Sequence, residues 1–398
     1  MSVFAALVGQ QAVVDQLRAA AADARSALEG SDGPAGGMTH AWLFTGPPGS
    51  GRSVAARAFA AALQCTDDRE IGCGRCVPCV QALSGAHPDV AVVVPEGLHL
   101  LIGDARDIIV RSSRYPTRGR WQVTLIEDAD RMEERTSNTL LKAIEEPPPH
   151  GVLLLCAPSV EDLLPTIRSR CRLVPLRTPP VDDIADELVR RDAIDPAMAS
   201  FAARAAQGHI GRARRLATDE QARRERLDVL ALSRSLGSVG AALVAAKDLV
   251  DAAQAEAGRI SGPRDERERG ELSTAFGEGA TGKGVTGVTG RGASRGGAGA
   301  RKELEKRQKS RGTRTSRDTL DRAMVDLAAF YRDVLMIQLA ATPSPVHPDL
   351  AEQAATIARA TTRESTLCRI DAVLACRKAL DANVAPLLAV ENMALALR

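Results

Sequence analysis

The sequence GPPGSGRS, from Gly46 to Ser53, has the composition of a loop that holds the phosphates of a nucleotide. Gly46, Gly49 and Gly51 allow backbone N–H groups to curl around phosphate oxygens, and the hydroxyl of Ser53 is placed to reach a Mg²⁺ ion. The residue before that hydroxyl is usually lysine, but here it is Arg52. Because a guanidinium is planar and bulkier than an ammonium group, this substitution permits binding and puts turnover in doubt.

Two adjacent acids, Glu127 and Asp128, end the apolar run of the segment WQVTLIEDAD. In nucleotide-hydrolysing proteins with such a loop, the first acid is usually Asp near Mg²⁺ and the second is Glu, which polarises water. The order is reversed here, so the shorter carboxylate occupies the water-activating position. The pair is either a degenerate form of that metal-binding element or two ordinary solvated acids at a strand end.

Four cysteines, Cys65, Cys73, Cys76 and Cys79, lie within fifteen residues and are separated by seven, two and two residues. Tetrahedral Zn²⁺ requires four ligands at about 2.3 Å, and a C-x2-C spacing places two thiolates on one turn. We therefore expect a structural zinc site in a reducing compartment, since four protein ligands leave no open position. The alternatives are unrelated buried thiols, or His87 in place of one cysteine.

Two arginines, Arg168 and Arg170, belong to the sequence TIRSRC, which precedes the last apolar run of the first half. An arginine at a subunit edge can stabilise the γ-phosphate of a nucleotide bound by the neighbouring subunit. From this motif alone, an ordinary surface arginine is the default interpretation, and action in trans is the alternative.

The first 180 residues alternate between short apolar runs and helix-like stretches, a pattern typical of a parallel sheet covered on both faces. Helical patterns lie at 53–64, 106–113 and 137–146. The predicted strands lie at 41–45, 89–95, 121–127, 151–157 and 171–176.

The segment RTPP at 177–180 ends the alternation of strands and helices, and only helical patterns follow it. Between 277 and 299, ten of 23 residues are glycine, so we expect a flexible insert over 261–315 that cannot offset its ordering entropy. Its basic final part, 301–317, is either a solvated linker with a frayed helix or a patch that touches nucleic acid.

The composition of the chain excludes several classes of protein. With 52 basic and 50 acidic residues the net charge is +2, which excludes a general nucleic-acid coat but not a local basic patch. Aromatic residues make up 3% of the chain, which argues against base-stacking platforms and against a β-sandwich. The first residues lack the pattern of a signal peptide, and no apolar run is long enough for a membrane span, so we expect a cytoplasmic protein.

Taken together, these motifs resemble the clamp-loader branch of the AAA+ proteins. A weaker similarity, NVAPLLAVENM at 383–393, resembles the end of that family's collar helix. The segments that carry the resemblance are Val8-Gly9-Gln10, HAWLFTGPPGSGRS (40–53), the four-cysteine insert, HPDV (87–90), the Glu127-Asp128 pair, TLLKAIEEPPP (139–149) and TIRSRC (166–171).

The resemblance implies an α/β P-loop AAA+ domain over 1–178 with a zinc module at 65–79. A small helical lid over 179–260 and an all-α collar over 316–398, through which subunits assemble, would follow. The glycine-rich insert has no counterpart in the family. The resemblance also adds Val8, Gly9 and Gln10 to the residues that border ATP and Mg²⁺.

Members of this family form a five-subunit ring that opens a sliding clamp and places it on primer–template DNA for the bacterial DNA polymerase III holoenzyme. The resemblance therefore implies motor and delta-type subunits, the clamp and DNA as partners, and no membrane. Stator subunits typically do not hydrolyse ATP but donate the arginine of the S-R-C motif, here Arg170, to the adjacent motor subunit.

Motor subunits of the family carry lysine in the P-loop, Asp-Glu in the acidic pair and an arginine at the start of a lid helix. Here Gly211 occupies that last position, although Arg212 is next to it, and Cys156 begins a segment that lacks the usual threonine pair. These departures favour a stator with weak or absent hydrolysis. The alternative is an active motor ATPase of the same complex; a metal-regulated DNA-binding protein is disfavoured by the near-neutral charge.

Overall fold

All five predicted strands are present, and they form one parallel sheet. The computed structural model describes residues 2–29, 37–100, 102–234, 236–276, 291–341 and 344–398. The strands lie in the spatial order β2-β3-β4-β1-β5, which confirms the predicted α/β class. In chain order they are β1 (Ala41–Thr45), β2 (Val90–Val93), β3 (Gln122–Ile126), β4 (Gly151–Ala157) and β5 (Arg172–Pro175).

Helices cover both faces of this sheet because successive strand residues point to opposite sides. Trp42 and Phe44 pack into one apolar cluster with α1 and α2, whereas Ala41 and Leu43 pack into another with α4 and α5. The helices of this first compact unit are α1 (Gln11–Leu28), α2 (Arg52–Leu63), α3 (Val77–Ser84), α4 (Ile102–Ser112), α5 (Glu134–Glu145), α6 (Pro165–Arg168), α7 (Val181–Asp192), α8 (Pro196–Ala205) and α9 (Ile210–Thr218).

The strand order decides which loops can share a site. Strand β4 lies between β1 and β3, so the loops that follow these three strands emerge side by side at the carboxyl edge of the sheet. A hydrogen bond of 3.1 Å from Gly46 N to Pro158 O joins the loop after β1 to the segment after β4. The phosphate loop and the Glu127-Asp128 pair are therefore brought to the same edge.

A second compact unit consists of residues 96–98 and 220–398, and the secondary structure that is described in it is helical. Its core includes Phe330, Tyr331, Val373 and Val390, which are almost completely buried. No helix in the described ranges is long and apolar enough to cross a membrane. The helices are α10 (Glu220–Ala231), α11 (Val239–Ala275), α12 (Arg291–Gln338), α13 (Ala351–Ala360), α14 (Arg363–Asp381) and α15 (Pro386–Ala396).

The two compact units have limits of their own, and the predicted domain limits stay predictions. The first unit extends to Asp219, so α7 to α9 belong with the sheet, whereas α10 and α11 belong to the second unit. The predicted lid limit at 260 falls inside α11, and the predicted collar start at 316 falls inside α12.

The flexible insert over 261–315 stays a prediction; its described parts are helical on both sides of 277–290. Residues 277–290 lie outside the described residues. Arg311 is 8% exposed and lies 2.6 Å from Asp265 and 2.5 Å from Glu268, so charges of α12 are paired with those of α11. Because these partners are more than 40 residues apart, the sequence showed the charges but not their pairing.

A buried carboxylate that sequence analysis missed fixes the loop before β3. Asp89 is 1% exposed and accepts hydrogen bonds from the backbone N–H groups of Thr117, Arg118 and Gly119 at 2.6 to 2.8 Å. The hydroxyl of Thr117 donates a further bond of 2.8 Å. Burial alone would raise the pKa of Asp89, but these donors outweigh it and hold the pKa at about 2.

We predict that Asp89→Asn lowers the free energy of unfolding of the first unit by about 2–4 kcal/mol, because an amide leaves buried N–H donors without an acceptor. The stabilisation by Asp89 is complete above its ordinary pKa of 3.8 and is lost as the pH falls through about 2. Urea unfolding followed by tryptophan fluorescence measures this unit alone, since Trp42 and Trp121 both lie in it.

The matched control is Asp107→Asn, which changes an exposed carboxylate on α4 and is expected to be nearly neutral. Equal unfolding free energies for the Asp89 and Asp107 variants would contradict the role assigned to Asp89.

Candidate functional site

The loop after β1 adopts the backbone that phosphate binding requires. Gly49 and Gly51 have φ values of 87° and 93°, which favour glycine, and Gly51 is the N-cap of α2. The first N–H groups of α2 therefore point into the loop, where the positive end of the helix dipole favours an anion. A Cβ added to Gly49 would lie 2.5 Å from the Cα of His209, so only glycine fits beneath the start of α9.

A second observation, on the side chain of Ser50, indicates that the loop fits a phosphate group. The hydroxyl of Ser50 is buried, with the residue 2% exposed, and it has no hydrogen-bond partner in the described part of the chain. A buried hydroxyl normally finds a partner. Phosphate oxygens would supply one, and a nucleotide would be held by the N–H groups of the loop together with the hydroxyls of Ser50 and Ser53.

The side chain of Arg52 is engaged by the loop itself. Its Nη1 donates a hydrogen bond of 2.6 Å to the carbonyl oxygen of Gly46. The lysine of an active P-loop reaches the β- and γ-phosphates with a mobile point charge. Here the guanidinium instead connects the two ends of the loop, so its hydrogen-bonding capacity is partly used within the chain.

The first acid of the Glu127-Asp128 pair is held by an arginine that sequence analysis missed. Arg57 on α2 donates to Oε1 of Glu127 through Nε at 3.0 Å and Nη2 at 2.8 Å. The Arg57 and Glu127 side chains are 33% and 16% exposed, so the pair is partly buried. An arginine within the alanine-rich helix after the loop was the available signal, but the sequence did not reveal its partner.

The second acid, Asp128, has a left-handed backbone with φ of 49°. Its Oδ2 lies 4.0 Å from Nε of Arg131, one turn later in the same segment. The structure thus brings Glu127 and Asp128 to the edge of the phosphate loop, with an arginine beside each of them.

Gln10 connects the N-terminal segment to the phosphate loop. Its side-chain amide donates to the carbonyl oxygens of Ser50 at 3.4 Å and Arg177 at 2.6 Å. The neighbouring Val8 and Gly9 line a cavity of about 570 Å³ that α7 closes on its other side. Three carboxylates and one arginine of α7 line this cavity, namely Asp183, Asp186, Glu187 and Arg190. Because the carboxylates would repel phosphate groups, the cavity suits an uncharged base or ribose better.

The four cysteines converge although no two of them are adjacent in sequence. Their sulfur atoms all lie within 4.8 Å of one another, and the sulfurs of Cys65 and Cys76 are 3.9 Å apart. Ligands of a tetrahedral metal–thiolate centre with bonds of about 2.3 Å are separated by about 3.8 Å. The cluster therefore fits one metal ion. His87 is not part of it: its Nδ1 accepts a hydrogen bond from Asp89 N, as a turn residue does.

The surroundings of the cluster favour ionised sulfur at one position. Burial opposes ionisation of Cys76, but N–H donors from Thr66 and Cys79 outweigh it and lower the pKa of Cys76 to about 6. Burial raises the pKa of Cys73 and of Cys79. A bound cation would stabilise the ionised form of Cys73 and Cys79 against the effect of burial.

Arg170 lies on the surface, in the turn between α6 and β5. Its guanidinium forms an ion pair of 2.9 Å with Glu145, and the two side chains are 42% and 46% exposed. Nη1 also donates to the carbonyl oxygen of Thr166 at 2.9 Å. The side chain is therefore accessible, in contrast to Arg52.

Comparisons with known proteins bear on the first unit. Residues 31–180 match the family described as DNA polymerase III, delta subunit. The DNA polymerase III subunit delta′ of Pseudomonas aeruginosa is 38% identical over 135 residues, which cover 33% of this chain and 41% of the relative. The corresponding Bacillus subtilis protein is 31% identical over 166 residues, covering 42% and 50%.

A second kind of relative is also similar to this chain. The DNA polymerase III subunit gamma/tau of Mycobacterium bovis is 33% identical over 179 residues, covering 44% of this chain and 29% of the relative. The chain thus spans from less than a third to half of the length of these curated relatives. The matches support the assignment of this chain to the clamp-loader AAA+ family. They do not distinguish a delta′ subunit from a gamma/tau subunit.

We predict that Gly49→Ala weakens Mg²⁺–ATP binding at least about tenfold, because the added methyl group meets the start of α9 and a positive φ disfavours alanine. Titration with a fluorescent ATP analogue measures the change.

Gly103→Ala is the matched control, since a Cβ there meets open space. It is expected to leave nucleotide affinity unchanged; the same affinity in both variants would show that the loop does not form the binding site.

Proposed function

We propose that this member of the clamp-loader AAA+ family is a stator, which supplies Arg170 to ATP held by a neighbouring subunit and hydrolyses little or no ATP itself. One contrast carries the proposal. The two groups on which hydrolysis in its own site would depend, Arg52 and Glu127, are bonded within the chain and partly buried, whereas Arg170 is exposed although it pairs with Glu145.

The ion pair between Arg57 and Glu127 argues against a working magnesium site. To bind Mg²⁺, the Glu127 carboxylate would have to leave two hydrogen bonds from Arg57, and that guanidinium would then face a divalent cation. Like charges at such distances repel, and a partly buried arginine that loses its partner keeps its desolvation cost. The chain's own site is therefore suited to holding a nucleotide without hydrolysing it.

The contacts of Arg170 leave it free to exchange partners. An exposed ion pair such as that with Glu145 contributes only about 0–1 kcal/mol to stability. A triphosphate offers the guanidinium several charged oxygens that it can bind in a bidentate geometry. This interaction is stronger than the exposed ion pair with Glu145. Arg170 can thus move from Glu145 to a neighbour's γ-phosphate at little cost.

The relatives agree with this role in part. Those from Pseudomonas aeruginosa and Bacillus subtilis are named delta′ subunits, whereas the Mycobacterium bovis relative is named gamma/tau. An active motor subunit is therefore the competing function, and the occupied side chains of the phosphate site are what disfavour it.

In the proposed assembly this chain joins motor and delta-type subunits in a five-subunit ring in the cytoplasm. The ring would load a sliding clamp onto primer–template DNA for DNA polymerase III. The cysteine cluster would hold one structural Zn²⁺, because four thiolates in a tetrahedral arrangement suit that ion and leave no coordination position open.

We predict that Arg170→Ala lowers the ATPase rate of the reconstituted ring by about 10³-fold or more, the effect that arginine fingers have on catalysis. Ring assembly is measured in parallel by size-exclusion chromatography and is expected to be intact, since the side chain is exposed. Arg168→Ala, two residues away, is the matched control and is expected to retain most of the activity. Normal hydrolysis in the Arg170 ring would exclude the arginine finger.

The isolated chain is expected to show no ATP turnover above background, with or without primed DNA. Ser53→Ala serves as the test, because it removes the hydroxyl that would bind magnesium. Turnover by the unmodified chain that disappears in this variant would establish the motor function instead.

For the cysteine cluster we predict one zinc per chain by elemental analysis. Cys76→Ser should lower the zinc content severalfold, since three thiolates bind less tightly than four. Cys368→Ser, which changes an exposed cysteine on α14, is the matched control and should keep the metal. A chain that contains no zinc when prepared without chelators would refute this part of the proposal.

A further inference from the structure

Three lysines on α12, Lys302, Lys306 and Lys309, form a stripe along one face of the helix. Their spacing of four and three residues places them on the same side of an α-helix. All three are exposed. Within the described ranges, no carboxylate forms an ion pair with any of the three, in contrast to Arg311 on the same helix. We call these residues the lysine stripe.

The opposite face of α12 is the one that packs. Leu304, Gln308 and Arg311 are partly or fully buried, and Gln308 and Arg311 bond to α11. The acids of α11 that come close, Asp265 and Glu268, are bound by Arg311 and so do not neutralise the stripe. The helix thus has one face whose charges are paired with α11 and an opposite face with three lysines that form no ion pair in the described part of the chain, although Glu303 and Glu305 of the same helix lie within one turn of them.

We propose that the lysine stripe binds the phosphodiester backbone of a nucleic acid. The three charges span about 10 Å at about 1.5 Å per residue, which gives roughly one charge for each phosphate at the spacing of about 3.4 Å along a duplex strand. The segment 301–317 contains no aromatic residue, so the contact would not involve base stacking and would be independent of sequence.

Membrane binding is the less suitable alternative. A helix that lies in a membrane surface needs an apolar face beside its basic one. Between 301 and 317 the one large apolar residue is Leu304, which lies on the packed face. The stripe therefore has charge for a polyanion but no apolar surface for a bilayer.

This inference does not rest on the proposed arginine finger, and its test uses the isolated full-length chain. The variant Lys302→Gln/Lys306→Gln/Lys309→Gln removes the stripe. The control, Arg224→Gln/Lys247→Gln/Arg267→Gln, removes three exposed cations of the second unit that are each paired with an acid one turn away. Both variants carry the same change in net charge, and circular dichroism checks that their helices are intact.

Binding is measured by fluorescence anisotropy at low ionic strength with labelled 30-nucleotide dT, a duplex of the same length, and oligo-U. We expect the stripe variant to bind about 10²-fold more weakly and the slope of log affinity against log salt to fall in magnitude by about 2 to 3. The control variant should bind like the unmodified chain.

Equal losses in the two triple variants would show a general charge effect and overturn the proposal. So would binding of phosphatidylserine vesicles or poly-glutamate by the unmodified chain with no binding of nucleic acid. A difference in affinity between the deoxyribose and ribose probes, with the stripe required for binding to both, supports phosphodiester binding and shows whether DNA or RNA is preferred.

Discussion

The ion pair between Arg57 and Glu127 constrains what the nucleotide site of this chain can do. It joins the helix after the phosphate loop to the end of β3, where a magnesium ligand would be needed. Arg52 is bonded to the same loop from the other side, through the carbonyl of Gly46. Both interactions strengthen the local structure and use side chains that catalysis would require. This is the physical basis of the proposal that the loop holds nucleotide without hydrolysing it.

The parallel sheet is what makes this arrangement possible. Because β4 lies between β1 and β3, the loop, the acids and the segment after β4 share one edge. The same unit carries the cysteine cluster just after α2 and presents Arg170 on its surface just after α6. The proposed nucleotide site and the proposed contact of Arg170 with a neighbour thus lie at different places on one scaffold.

Much of this scaffold could be predicted from the sequence, because strands and phosphate loops depend on local patterns. The five apolar runs coincide with the five strands to within a few residues, and the glycines at 46, 49 and 51 occupy the expected loop. The contacts of Arg57, Asp89 and His209 could not be predicted, since each joins residues that are far apart in sequence or depends on backbone geometry. The pairing of Arg311 could not be predicted for the same reason, since its acidic partners lie on a different helix.

The most direct measurement of the central claim is a structure of the assembled ring with a non-hydrolysable ATP analogue in the adjacent subunit. We expect the guanidinium of Arg170 to have left Glu145 and to lie within hydrogen-bonding distance, about 3 Å, of the neighbour's γ-phosphate. The ion pair of Arg57 with Glu127 should persist in the same structure. If Arg170 instead faces away from every triphosphate in the ring while Glu127 coordinates a magnesium ion, this chain is not a stator.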